Sequence, residues 1–280
     1  MPAEPLLDIH DLRKRFAAPG AGWRGRGEVS ALDGVSFTLG VGEALGLVGE
    51  SGSGKSTLAL ALAGLEQLDS GTLRFAGEDI TRMRRGKALR RQIQLIFQDP
   101  YQAFHPLHRI GAQIAEPLQV HGIGRDRRER WVLAQAALEE VGLRPAGAFD
   151  ERYPHELSGG QLQRAAIAAA LVLQPRLLIA DEPVAMLDAA SRQDVLGVLN
   201  ALRVRHGVAL LLISHDIAMT AWVVDRLAVM RHGRIVEIGP VDAIVHRPAQ
   251  AYTQALLAAV PGARWRQEVA ATLARIVAIA

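Results

Sequence analysis

A chain of 280 residues, 49% of them hydrophobic, is long enough for one large α/β domain with or without a small appendage, and apolar enough for a sizeable core; disorder as its main state is excluded. The net charge of +3 and pI near 9.7 reflect a preference for Arg over Lys and call for no nucleic-acid partner. With no cysteine, disulfides, thiolate zinc sites and iron–sulfur clusters are excluded as well. The longest apolar run, residues 165–173, stops between Arg164 and Gln174 and is too short to span a bilayer. The start, Met1-Pro2-Ala3-Glu4-Pro5, lacks the basic and apolar regions of a secretory signal, so the expected location is cytoplasmic.

In chain order, residues 6–16 and 29–48 read as strands of an antiparallel β layer. Between them, residues 17–27 are rich in Gly, Pro and Arg and read as a surface loop in which Trp23 is incidental. The short apolar segment 44–48 suits a strand buried on both faces. It leads into Gly49-Glu50-Ser51-Gly52-Ser53-Gly54-Lys55-Ser56-Thr57, which has the spacing of a phosphate-binding loop. Glycines let the chain turn its amides inward around an anion. A helix follows over 55–63, with Gly64 as its cap, so its N-terminal dipole adds to that pull. Lys55 can then reach the β- and γ-phosphates of a nucleotide, and Ser56 can place its hydroxyl on Mg2+.

Residues 71–79 read as a strand and turn, 82–91 as a solvated basic helix, and 93–97 as a core strand. From Asp99 to about Gln174 the pattern becomes helical, over 109–118, 127–141 and 160–173, as a subdomain inserted between sheet strands. Short apolar strands return at 177–180 and 208–213, a hairpin turns at His232-Gly233 within 226–238, and the rest to Ala280 is alanine-rich and largely helical. No internal repeat or sustained heptad is present.

The strand at 177–180 ends in Asp181-Glu182-Pro183, which puts two acids at its carboxyl end. Asp181 can hold Mg2+ directly or through water, while Glu182 can orient and deprotonate an attacking water. Leu157-Ser158-Gly159-Gly160-Gln161 precedes a helix, with Arg164 expected in its first turn, and forms a second anion-binding turn.

That five-residue run, after the phosphate loop and before the acid pair, resembles the signature of the ATP-binding subunits of ABC transporters. The resemblance extends from about residue 6 to residue 260 with the motifs in family order. It implies an ABC-type P-loop NTPase, an α/β fold with a mixed, largely parallel sheet core, an antiparallel β layer and the inserted helical subdomain at about 99–174. The cassette would occupy 1–240, and 241–280 a short C-terminal helical extension. By the same resemblance Phe16 stacks on adenine, Gln98 contacts Mg2+ or the water and reports to the membrane partner, His215 contacts the γ-phosphate, and Asp188 belongs to a loop crossing between two subunits. The cofactors implied are ATP and Mg2+, the latter held by Ser56, Gln98 and Asp181.

The family's mechanism is a head-to-tail dimer in which ATP on one phosphate loop is completed by the Ser158 region of another cassette. The partners implied are a second ATPase subunit, a different one or a second copy, two integral membrane permease subunits, and indirectly an extracytoplasmic substrate-binding protein. The location implied is the cytoplasmic face of the membrane. Residues 97–107, Glu116-Pro117-Leu118 and 251–261 resemble the branch that imports peptides and nickel. His105-Pro106-Leu107 and Gln250-Ala251 depart from that branch's usual Asn-Pro-Arg and His-Pro, and Val184-Ala185 replace the usual Thr-Ser. Non-transport relatives place a long coiled coil between the loop and the acid pair, and no heptads occur there. A regulatory ATP-binding module without turnover is the other alternative.

Overall fold

A computed structural model describes residues 4–17, 28–83, 86–260 and 265. Trp23, most of the 17–27 loop and the end of the alanine-rich tail lie outside the described residues. Along the chain run β1 (Leu7–Ala17), β2 (Glu28–Leu39), β3 (Ala44–Val48), α1 (Lys55–Ala63), β4 (Ser70–Phe75) and β5 (Glu78–Asp79). Then come α2 (Lys87–Gln92), β6 (Ile93–Ile96), α3 (Ile110–Val120), α4 (Arg127–Glu140), α5 (Gly159–Leu171), β7 (Leu177–Asp181) and α6 (Ala189–His206). The last elements are β8 (Ala209–Ser214), α7 (Ile217–Ala221), β9 (Arg226–Arg231), β10 (Arg234–Pro240), α8 (Val241–His246) and α9 (Ala251–Ala258). They group into two compact units, Met1–Arg84 with Leu211–Ala280, and Arg85–Leu210, so the chain passes between units inside β8.

In the first unit an antiparallel sheet has the order β2-β1-β4-β5. Leu7 and Ile9 of β1 alternate inward as strand geometry requires; a register shift beyond Ile9, at the positive-φ Asp11, then turns Leu12 into the core beside Val35. A second layer holds β9 between β10 and β3. β3 pairs in parallel with β9 from Leu45↔Arg226 to Val48↔Val229 and is buried at every residue, as its unbroken apolar run predicts. β9 and β10 form the expected hairpin, whose turn residues His232 and Gly233 have φ of 47° and 77°, the conformation that matches strand twist.

In the second unit β6 and β7 pair in parallel from Ile93↔Leu177 to Ile96↔Ala180. The helices pack through Ile110, Ile114 and Leu118 of α3, Ala134 and Leu138 of α4, and the small buried residues of α5. Two expectations change, and one helix is added. The basic helix starts only at Lys87, after Arg82 and Met83. α5 begins at Gly159, which puts Arg164 in its second turn, where its Nε donates to the Gly160 carbonyl. α6, 18 residues long, was not anticipated between the apolar strands.

Candidate functional site

In the first unit, the buried strand β3 delivers the chain to the glycine-rich loop and α1 leaves it. Lys55 is only 5% exposed, and its Nζ donates to the carbonyls of Gly49 and Glu50, each at 2.8 Å, and reaches Ser53 Oγ at 3.5 Å. The loop is thus wound around an ammonium group. Gly54, which caps α1, has φ of 106°, and a Cβ there would collide with the Ala31 carbonyl of β2; glycine is required on both counts. On the other side the Gly233 amide of the β9–β10 turn donates to Ser53 O at 2.9 Å, and Asp33 N donates to Gly233 O at 2.8 Å. Gly52 and the hydroxyl-bearing Ser51, Ser56 and Thr57 complete the expected run, with Ser56 exposed on the first turn of α1.

Phe16 lies on β1, 41% exposed, with Lys14 Nζ 5.0 Å above its ring. Lys14 is held by Glu66 at 2.7 Å, so this aromatic face carries a fixed positive charge. His215 is exposed just beyond β8, and the turn that carries it is fixed by Asp216, whose carboxylate accepts from Met219 N at 3.0 Å to cap α7.

In the second unit, Gln98 is exposed two residues beyond the end of β6. β7 carries Asp181 as its last residue, with Glu182 next at φ of 46°. Ser158 is the exposed N-cap of α5 and forms a reciprocal box with Gln161: Ser158 N donates to Gln161 Oε1 at 3.0 Å, and Gln161 N to Ser158 Oγ at 3.3 Å. Leu157, which precedes the cap, is buried as its anchor.

The signature run and Asp188 are brought together in this unit. A Cβ on Gly160 would lie 3.1 Å from Ser191, and one on Gly159 3.3 Å from Leu187, so the glycines admit the segment that begins α6. Asp188 caps α6, accepting from Ser191 N at 3.0 Å and from Ser191 Oγ at 2.7 Å. These bonds, the amide's foremost, hold its carboxyl below its ordinary value. Ser191 was not singled out in the sequence, although a polar residue three after a capping aspartate is a recognisable signal. Tyr252 lies in the 251–261 stretch that carries the branch resemblance; its hydroxyl accepts from the Glu50 amide at 3.2 Å, a contact across 202 positions that no local pattern announces.

The family described as ABC transporter matches residues 32–185 of the chain. The Glutathione import ATP-binding protein GsiA of Escherichia coli (strain K12) is 48% identical over 265 residues, and that of Salmonella typhimurium (strain LT2) 46% identical over 265 residues. Each alignment covers 92% of this chain and 41% of the relative, so the chain spans about two fifths of the length of the curated relatives it matches. Among solved structures, the ATP-binding cassette MJ0796 in a dimeric post-hydrolysis state bound to ADP and Pi is similar with a TM-score of 0.74 and 25% identity, covering 84% of this chain and 98% of that one. CbiO1 from Clostridium perfringens, part of the ABC transporter complex cbiONQ, is similar with a TM-score of 0.74 and 26% identity, covering 88% and 92%. The loop wound on Lys55, the serine-capped signature helix and the strand that ends at Asp181 before Glu182 thus sit on a fold shared with ATP-binding cassettes, and the chain belongs to the ABC transporter family.

Proposed function

We propose that this chain binds and hydrolyses ATP to power an importer of peptides, nickel or another chelated metal. The observation that carries the reading is the loop that closes on the buried Lys55 ammonium with Gly54 in a left-handed conformation. A phosphate chain presents the anion such a loop is built to surround. The relatives named for glutathione import favour a small peptide over nickel as cargo.

In this reading Lys55 exchanges its loop carbonyls for the β- and γ-phosphates, and Phe16 offers its exposed face to the adenine. Glu182 takes the proton of a water whose oxygen attacks the γ-phosphorus as the bond to the β-phosphate oxygen breaks, releasing ADP and phosphate. His215 and Gln98 would orient the γ-phosphate and the water. Ser56, Gln98 and Asp181 offer hydroxyl, amide and carboxylate oxygens, the hard donors that Mg2+ takes. When bound, Mg2+ would neutralise charge on the phosphates.

The 157–161 signature, with Asp188 beside it, would close over the nucleotide of a second ATPase subunit, a different chain or a second copy. Residues 1–240 would form the cassette, with the helical subdomain at about 99–174, and 241–280 the extension. Two permease subunits would carry the cargo path, fed by an extracytoplasmic binding protein, with this chain on the cytoplasmic face. Among the described residues no helix is long and apolar enough to cross a membrane.

The test is phosphate release and nucleotide binding by the purified chain, alone and with permeases. Lys55→Ala is expected to weaken ATP binding by about tenfold or more, since a charge-assisted contact is lost. Wild-type chain that fails to bind ATP would overturn the reading, and binding without turnover in the assembled complex would leave a regulatory module in its place.

A further inference from the structure

We propose that Tyr252 is a positioning residue of the phosphate loop, through which the C-terminal helix α9 sets nucleotide affinity; the inference rests on reading that loop as the nucleotide site. The Glu50 backbone is held on both sides of its Cα. Its carbonyl accepts from Lys55 Nζ at 2.8 Å, and its amide donates to the Tyr252 hydroxyl at 3.2 Å. When Lys55 turns to phosphate, its bond to the Glu50 carbonyl is released, and that carbonyl keeps the bond from Ser53 N at 3.2 Å. The tyrosine then remains as the side-chain tether on the entry to the loop.

Tyr252 reaches the loop in a fixed orientation. Its ring lies against the Arg231 guanidinium, 4.7 Å from carbon to centroid, at the end of β9. The adjoining turn is the one that holds the loop from behind, through Gly233 N to Ser53 O at 2.9 Å. The start of α9 is pinned to β10, because the Glu237 carboxylate accepts from Ala249 N at 2.7 Å and Gln250 N at 3.2 Å. Gln254 Nε2 closes the same turn onto Pro248 O at 3.0 Å, and Thr253 and Leu257 are buried. The path from Glu237 through α9 to Tyr252 and Glu50 therefore fixes a loop that an unliganded cassette would otherwise leave more mobile. A preformed loop binds without the loss that ordering it would impose.

The experiment uses the full chain with Mg2+ and ATP. Tyr252→Phe keeps the ring on Arg231 and removes only the hydroxyl; Glu237→Ala frees the start of α9 and keeps the hydroxyl. Both are expected to raise the ATP dissociation constant by about three- to tenfold, the worth of one hydrogen bond. Hydrogen exchange of a loop peptide containing Glu50 should quicken in nucleotide-free Tyr252→Phe, while its thermal midpoint without nucleotide stays with the wild type. Wild-type chain that does not bind ATP would remove the nucleotide reading itself. Wild-type chain that binds, with Tyr252→Phe binding equally within about twofold, would overturn this inference alone. So would a loss of affinity matched by an equal fall in midpoint, the mark of a merely structural residue.

Discussion

Glu182 stands at φ of 46°, a left-handed conformation that costs a residue with a side chain about 1–3 kcal/mol and that clusters at functional sites. Pro183 disfavours the ordinary helical alternative, and the Ala185 amide, donating to Glu182 O at 3.2 Å, closes the turn. Glu182→Gln keeps the shape and loses the base. Phosphate release is expected to fall by about 100-fold or more while ATP still binds; normal turnover, measured by colorimetric phosphate release, would refute the role. The residue was legible from its place after Asp181, but its φ was not, since it reflects how the strand must turn. Asp33 teaches the same lesson. It bridges Arg13 at 2.5 Å and Arg234 at 2.7 Å, and the Arg234 bond foremost holds its carboxyl below the ordinary 3.8. A lowered value in the folded chain means the unfolded chain takes up the proton first, so the contribution is whole above about pH 4 and lost as pH falls through the lower folded value. Asp33→Asn should therefore flatten the acid decline of the thermal midpoint in scanning calorimetry; parallel curves would contradict it.

At the scale of elements, helix signals at the ends decided more than averages along the length. Lys55–Ala63 carried both its Gly54 start and its Gly64 stop, whose φ is 73°, and was read to the residue. α6 carried comparable signals, the Asp188 cap, the Gly207 stop at φ of 63°, and Arg203, Arg205 and His206 in the last turn. Its apolar stripe is thin, since only Val195, Leu196, Leu199 and Leu202 of its 18 residues are buried apolar ones, and that hides the helix from a reading by periodicity. Conversely, the arginines at 82–91 suggested a longer helix than the six residues of α2, whose Gly86 start carries no side-chain cap bond. A cap can be tested at α7, where Asp216 accepts from Met219 N at 3.0 Å and fixes the turn after His215. Asp216→Ala should lower stability by about 1 kcal/mol in urea unfolding, and Asp216→Asn by much less. Equal losses in the two would show that capping is not what this aspartate contributes.

For the whole molecule, the proposed function requires pairing, because each cassette carries a phosphate loop and a separate signature. Ser158→Phe puts bulk on an exposed cap without entering the core. Phosphate release by the complex with permeases is expected to drop by about tenfold or more, while ATP binding to the isolated chain is unchanged. Undiminished hydrolysis with every copy substituted would break the pairing mechanism. The sequence by itself determined the phosphate loop, the acid pair and the capped signature, because each is a turn with its adjoining strand or helix, and its chemistry lies within a few neighbouring residues. Only the tertiary structure decided that Ser191 fastens Asp188 beside Gly160, that Asp33 joins two strands far apart in the chain, and that Tyr252 grips Glu50. Those contacts depend on how distant segments close on one another, and local periodicity and turn chemistry carry no record of that closure.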